Sequence, residues 1–211
     1  LGLSYDPIEA AKVLADADEA MGRLIERSGP IRLLVDPMES PFVALVKAII
    51  YQQLTGKAAK TIYTRLQGLF DDRDPTPEEL LDHPDDLIRS VGISRPKTLA
   101  LKDLAQKTVD GVVPSLAAMR RMKDETIIER LVSIRGIGRW TVEMLLIFRL
   151  GRPDVFPIDD LGVRKGITFL DGASELVKPK EAAARSESWR PYRSLASWYL
   201  WRAAEMGRDA F

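Results

Sequence analysis

The chain has no cysteine and only one histidine in 211 residues. Without thiols it can form no disulfide, no zinc–thiolate site and no cysteine-ligated iron–sulfur cluster, which fits a reducing compartment. The histidine, His83, precedes Pro84 in an acidic loop and has no partner for metal or triad chemistry, so it reads as a solvated loop residue. No apolar run approaches the roughly 20 residues of a membrane span. No basic, apolar, small-residue leader opens the chain, and a cytoplasmic protein away from the membrane is expected. Neither sign of charge is in excess: 31 Lys and Arg balance 31 Asp and Glu. Zero net charge argues mildly against a nucleic-acid partner.

The distribution of charge argues the other way. Between Phe42 and Phe70 lie Lys47, Lys57, Lys60 and Arg65 with no acid, and Ile93–Lys107 holds Arg95, Lys97, Lys102 and Lys107 against Asp103 alone. Asp71–Ser90 carries eight acids against Arg73 and Arg89. Such segregation can build one basic face on a neutral protein, although each run taken singly reads more simply as a solvated helix face.

Helical periodicity dominates, and 45% hydrophobic residues supply an ordinary core. Amphipathic or buried helices are predicted at about 7–27, 42–53, 56–70, 84–90, 96–110, 124–133, 138–151, 160–170 and 192–205. A further helix starts at Pro75-Thr76-Pro77-Glu78-Glu79, with Thr76 as N-cap and Pro77 in the first turn. Strand character is confined to short stretches such as Val109–Val113, and 174–188 is the most linker-like region, with alanines able to form a short helix. An all-α fold follows.

Chemistry concentrates at Ser133-Ile134-Arg135-Gly136-Ile137-Gly138-Arg139-Trp140-Thr141. Two glycines around one apolar residue, between two helical patterns, make a hairpin whose bare amides a phosphate can approach; the following helix adds N–H groups and its dipole. Some twenty residues on, Val155-Phe156-Pro157-Ile158-Asp159-Asp160 delivers a carboxylate. A carboxylate can stabilise an oxocarbenium-like sugar and align water, the needs of N-glycosidic cleavage. The plainer alternative is that the pair caps the next helix; both hold if Asp159 takes the cap and Asp160 the chemistry.

These segments resemble the helix–hairpin–helix superfamily of base-excision DNA glycosylases, and within it the alkylpurine branch, the 3-methyladenine DNA glycosylase II type. The resemblance runs from about Pro41 to Arg202. Besides the hairpin and the aspartates it is carried by Ile49-Ile50-Tyr51-Gln52-Gln53-Leu54-Thr55, Val91-Gly92-Ile93-Ser94-Arg95-Pro96-Lys97, and Trp189-Arg190-Pro191-Tyr192-Arg193-Ser194 with Trp198-Tyr199-Leu200-Trp201. It implies two helical lobes with a cleft between them: 1–40 with 150–211, and 41–149 ending in the helix–hairpin–helix motif at 131–149. No additional N-terminal α/β domain is expected.

By the same resemblance Asp160 is the catalytic residue, and Trp140, Met144 and Trp201 line the base pocket. Gln53 is the wedge that fills the gap left by a flipped nucleotide, or else a solvated helix end. Arg95, Arg135, Gly136, Gly138, Arg139 and Lys165 are DNA contacts, any of the charged ones equally readable as plain surface charge. Val132, Ile134 and Ile137 offer carbonyls for a monovalent cation, Na+ or K+; no other cofactor is required. Trp198 and Tyr199 read as core. Trp140 stands where strand-cleaving relatives carry a Schiff-base lysine, and tryptophan forms no imine. The implied protein is a monofunctional glycosylase. It acts as a monomer on double-stranded DNA containing alkylated bases (3-methyladenine, 7-methylguanine and related lesions), with no obligate protein partner. The alternatives are a glycosylase for uracil or an oxidised purine, and a non-catalytic DNA-binding module. The aspartate pair and the aromatic C-terminal helix speak against the last.

Overall fold

A computed structural model describes residues 3–36 and 38–208, and among these no strand occurs. The helices, in chain order, are α1 (Pro7–Ala17), α2 (Glu19–Ser28), α3 (Pro41–Tyr51), α4 (Gly56–Gly68), α5 (Pro77–Asp82), α6 (Asp85–Ser90) and α7 (Arg95–Val109). They continue with α8 (Leu116–Arg121), α9 (Asp124–Leu131), α10 (Arg139–Phe148), α11 (Leu161–Leu170), α12 (Pro179–Arg185) and α13 (Arg193–Met206). No helix among them is long and apolar enough to cross a membrane. The chain divides into two compact units, Leu1–Pro37 with Glu143–Phe211, and Met38–Val142, so the second junction falls inside α10.

Several predicted elements need correcting. The helix expected over 7–27 breaks in two at Asp18, whose side chain accepts the Ala20 and Met21 N–H groups and so starts α2. A capping aspartate with extended backbone (φ −154°) cannot continue a helix. Val109–Val113 is the turn that ends α7, with Val112 N–H returning to the Lys107 carbonyl at 2.8 Å. In the linker-like stretch the alanines do form a short helix, α12, as expected, and a 3-10 turn, Ser186–Trp189, follows it. The short α8 has no counterpart among the predicted helices. Elsewhere local signals sufficed: Thr76 and Glu79 form a reciprocal capping box at the start of α5, with Pro77 at its first position. His83 is half-buried rather than solvated, its ring 4.6 Å from that of Phe70.

In the second unit, α3 is the central element, burying Phe42, Leu45, Val46, Ile49 and Ile50. Charged side chains of α7 close helix ends around it. Lys102 donates to the Leu81 and His83 carbonyls at 2.6 and 2.5 Å, satisfying groups that α5 leaves without intrahelical partners.

The first unit is organised around α11 and α13, which approach closely because α11 carries Gly162 and Gly166. A Cβ on Gly166 would lie 2.2 Å from the Leu200 carbonyl oxygen. Around them Trp189 is fully buried, its indole N–H donating to Asp18 at 2.8 Å. Arg185 lies over that indole and bonds the same carboxylate at 2.5 Å. Tyr199 is core, as expected, with Trp198 edge-on against it.

Burial would raise the Asp18 carboxyl, but Arg185, Trp189 and the Met21 amide outweigh it and hold it below the ordinary carboxylate value. A carboxyl depressed in the fold contributes stability above its unfolded pKa and loses it as pH falls through the folded one. Asp18→Asn should therefore cost about 1–3 kcal/mol near pH 7. The gap to wild type should close as pH drops below about 4, the ordinary aspartate value. Urea denaturation at stepped pH measures this, and a gap independent of pH would refute the assignment.

Candidate active site

In the unit Met38–Val142 the hairpin between α9 and α10 buries Ile134 and Ile137 and leaves its charged and glycine positions outside. Gly136 has φ 77°, and a Cβ there would press on the Ala100 methyl at 3.2 Å, so glycine is required twice over. Gly138 differs: nothing in the protein lies within 4 Å of where its Cβ would be. That open face is where a phosphate could reach the backbone. The turn is fastened from α7. The Asp103 carboxylate accepts the Arg135 N–H at 2.7 Å, and Lys107 bonds both Asp103 and the Ser133 carbonyl. Burial pushes the Asp103 carboxyl up, but those two donors win and keep it below its ordinary value.

The segment expected to wedge into DNA is tied to this hairpin. Gln52 donates from its side-chain amide to the Gly136 carbonyl at 2.9 Å. The Lys97 ammonium donates to the Ile50 and Gln52 carbonyls at 2.7 Å each. Gln53 itself is exposed, at φ 57°. Arg95, in the first turn of α7, and Arg135 are exposed. Arg139 instead forks onto the Glu125 carboxylate at 2.7 and 2.8 Å. Any phosphate contact by Arg139 has to compete with that pair. The carbonyls of Val132, Ile134 and Ile137 lie on two consecutive turns, closed by the Ile134 N–H on Leu131 and the Ile137 N–H on Ile134 at 3.1 Å each, and Ile134 keeps a second lone pair. No cluster of His, Cys, Asp or Glu suited to a metal occurs among the described residues.

Trp140, in the first turn of α10, is 49% exposed. Met144 and Phe148 follow at four-residue steps and so share its side of the helix. Phe148 was not singled out from the sequence, although the spacing 140, 144, 148 was there to be read.

The other unit holds the carboxylate. A turn closed by the Asp160 N–H on the Pro157 carbonyl leads into α11. The N-cap of α11 is Asp160, not Asp159 as expected, because the helix begins at Leu161; Asp159 is exposed one position further out. Oδ1 of Asp160 accepts the Val163 N–H at 2.8 Å and the Trp201 indole N–H at 2.9 Å. Trp201 also stacks on Phe148, with ring centroids 5.6 Å apart. The indole reaches the carboxylate because residue 162 is glycine: a Cβ there would lie 2.7 Å from Trp201 Cδ1. The approach segment is anchored as well. Asp154 pairs with Arg193 at 2.7 Å and Arg190 at 2.5 Å, and the Val155 N–H donates to Ser194 Oγ at 3.0 Å. Lys165 points outward on α11. The arrangement presents an oriented carboxylate beside an indole and a phenyl ring.

Residues 46–191 match the family described as "HhH-GPD superfamily base excision DNA repair protein". The chain is similar to DNA-3-methyladenine glycosylase 1 of Schizosaccharomyces pombe, 38% identical over 92% of this chain and 86% of the relative. The structure resembles that of the S. pombe 3-methyladenine DNA glycosylase in complex with abasic DNA (TM-score 0.79, 37% identity, 95% of this chain and 98% of that one). It also resembles a DNA-3-methyladenine glycosidase from Bacillus halodurans (TM-score 0.85, 32% identity, 100% and 93% covered).

Gly162→Ala tests how the carboxylate is held. The added methyl must displace Trp201, so the indole bond to Asp160 is lost while the cap to Val163 can persist. The cost in stability should be about 1–3 kcal/mol, as for overpacking. Near-ultraviolet circular dichroism should report a changed tryptophan environment, and an unchanged spectrum and melting temperature would contradict the contact.

Proposed function

The chain belongs to the HhH-GPD superfamily of base excision DNA repair proteins, and we propose that it is a DNA glycosylase that removes alkylated purines and leaves the strand intact. The observation that carries this reading is the Asp160 carboxylate, fixed by Val163 and Trp201 at the start of α11. A base inside a duplex is out of reach of such a group, so the target nucleotide has to be extruded. Backbone amides at the Gly138 face, with Arg135 and Arg95, would hold the flanking phosphates, and Gln53 would fill the vacated space.

Once flipped, the base would stack on Trp140. Alkylation at a ring nitrogen makes a purine cationic, and indole faces attract cations by about 0.5–2 kcal/mol depending on desolvation. Cleavage of the C1′–N bond sends its electron pair to the base, which then leaves neutral. The sugar is left as an oxocarbenium-like cation, which the Asp160 carboxylate stabilises while it orients the water that adds to C1′. The carboxylate takes up the proton that water releases. The turn carbonyls of Val132, Ile134 and Ile137 would hold Na+ or K+ next to a bound phosphate, offsetting charge; the hydrolysis itself uses only side chains of the chain. With tryptophan at position 140 no imine forms there, and the product is an abasic site without a nick.

Incubation with methylated DNA, followed by mass spectrometry of released bases, should yield 3-methyladenine and 7-methylguanine. Asp160→Asn keeps the cap and should slow release by about a thousandfold or more, on the scale of losing a main electrostatic group, while lesion DNA still binds. Near-normal turnover by that variant would sink the mechanism. Strand breaks appearing without alkali or added endonuclease would contradict the absence of a lyase step.

A further inference from the structure

Gln53 occupies a position built for glycine. The Leu54 N–H closes on the Tyr51 carbonyl at 3.3 Å, Gln52 has φ −53° and ψ 131°, and Gln53 follows at φ 57°. This is the pattern of a type II turn, whose third residue has positive φ and is normally glycine. A side chain in that region is strained and persists only where its surroundings over-determine it.

The over-determining group is Lys97. Its ammonium takes the carbonyls of Ile50 and Gln52, two of the groups that the end of α3 leaves without helical partners. One of these carbonyls belongs to the peptide that joins Gln52 to Gln53. Gln52 is held a second time, by its side chain on the Gly136 carbonyl. The turn is thus fixed in register with the hairpin, while Tyr51 and Leu54 on either side of it remain 40% exposed each. Lys97 is half-buried, unlike exposed Arg95 two residues before it, and burial draws its ammonium below the ordinary lysine value. Its donors face protein carbonyls.

We propose that Lys97 is a positioning residue for base flipping: it locks the Tyr51–Leu54 turn so that Gln53 stands out as the wedge, in register with the phosphate-gripping hairpin. This inference rests on the glycosylase reading above. It separates Lys97 from the charges that merely attract DNA, because its effect is exerted through Gln53.

The test uses Lys97→Met, which keeps the stem and removes the donors, and compares single-turnover base release from a paired lesion with release from the same lesion in an unpaired bulge. A wedge matters where a pair must be broken. Release from the paired lesion should fall on the order of tenfold or more, the scale set by misplacing a positioned group, with little change on the bulge. Adding Gln53→Ala to Lys97→Met should cost almost nothing further. Because the chain has no native cysteine, the thiol in Lys97→Cys can be alkylated with 2-bromoethylamine, which restores an ammonium at nearly the original reach and should restore paired-lesion release. Equal loss on paired and bulged lesions, additive effects with Gln53→Ala, or no rescue would each overturn the inference.

Lys97→Arg retains donors with a different reach and serves if Lys97→Met does not fold; the same selective loss is expected and its absence is refuting. 2-Aminopurine fluorescence beside a tetrahydrofuran abasic analogue reads insertion without chemistry. Wild type should raise it and Lys97→Met should not; an equal rise in both overturns the inference. Failure of wild type to release any base overturns the glycosylase reading instead.

Discussion

The close approach of α11 to α13 is the contact on which the position of the carboxylate depends. At Gly166 the Leu200 carbonyl lies where a side chain would otherwise begin, so the distance between these helices is set by backbone against backbone. Such a contact is stiff, because there is no side chain that can change rotamer to relax it. One turn earlier, Gly162 leaves room for the Trp201 indole, and that indole reaches Asp160. From the other side, Ser194 and Arg193 at the start of α13 hold Val155 and Asp154. One helix therefore anchors the segment entering the site and also orients the group at its end. Both tasks follow from how near α13 can come.

The sequence presents capping and chemistry as rival roles for Asp160; under the proposed function one side chain serves both. A helix cap needs a short oxygen-bearing side chain at one defined place, and chemistry on a sugar needs a carboxylate that does not wander. Capping supplies that restraint, since the Val163 amide and the Trp201 indole fix the same oxygen. Two donors on a single oxygen define the plane of the carboxylate far better than one would. The cap is thus part of how the site is preorganised, and the expectation that Asp159 would relieve Asp160 of it missed this. The helix starts one residue later than that division of labour requires.

What could be read along the chain was local. Thr76, Pro77 and Glu79 announce a helix start because all their partners lie within four residues. Gly136 announces a turn because positive φ is a local demand. The failures share a different cause. Asp18 resembles any polar residue on an amphipathic stretch until Arg185 and Trp189 arrive from far along the chain to claim its carboxylate. Gly162 and Gly166 look like poor helix formers until α13 is laid against them. Phe148 has the helical spacing of Trp140 and Met144, but its stacking on Trp201 depends on a helix far along the chain.

The basic run Ile93–Lys107 shows how far such reassignment goes. Read as composition, it is a candidate DNA-facing surface. In the fold, Lys97 holds the end of α3, Lys102 the end of α5, and Lys107 the hairpin turn, each through main-chain carbonyls. These positions recur along α7 over about 15 Å, the rise of ten helical residues. Together with Ala100 under Gly136 they make α7 a spacer between the Tyr51–Leu54 turn and the hairpin. A buried ammonium needs several oxygen acceptors, and helix C-termini offer them ready-made. Of the four cations in this run, exposed Arg95 is the one the fold leaves facing outward. The counterion release that governs salt-dependent DNA affinity depends on charges that meet phosphate. Counting the cations of this run overstates that number, because three of the four are engaged in setting geometry.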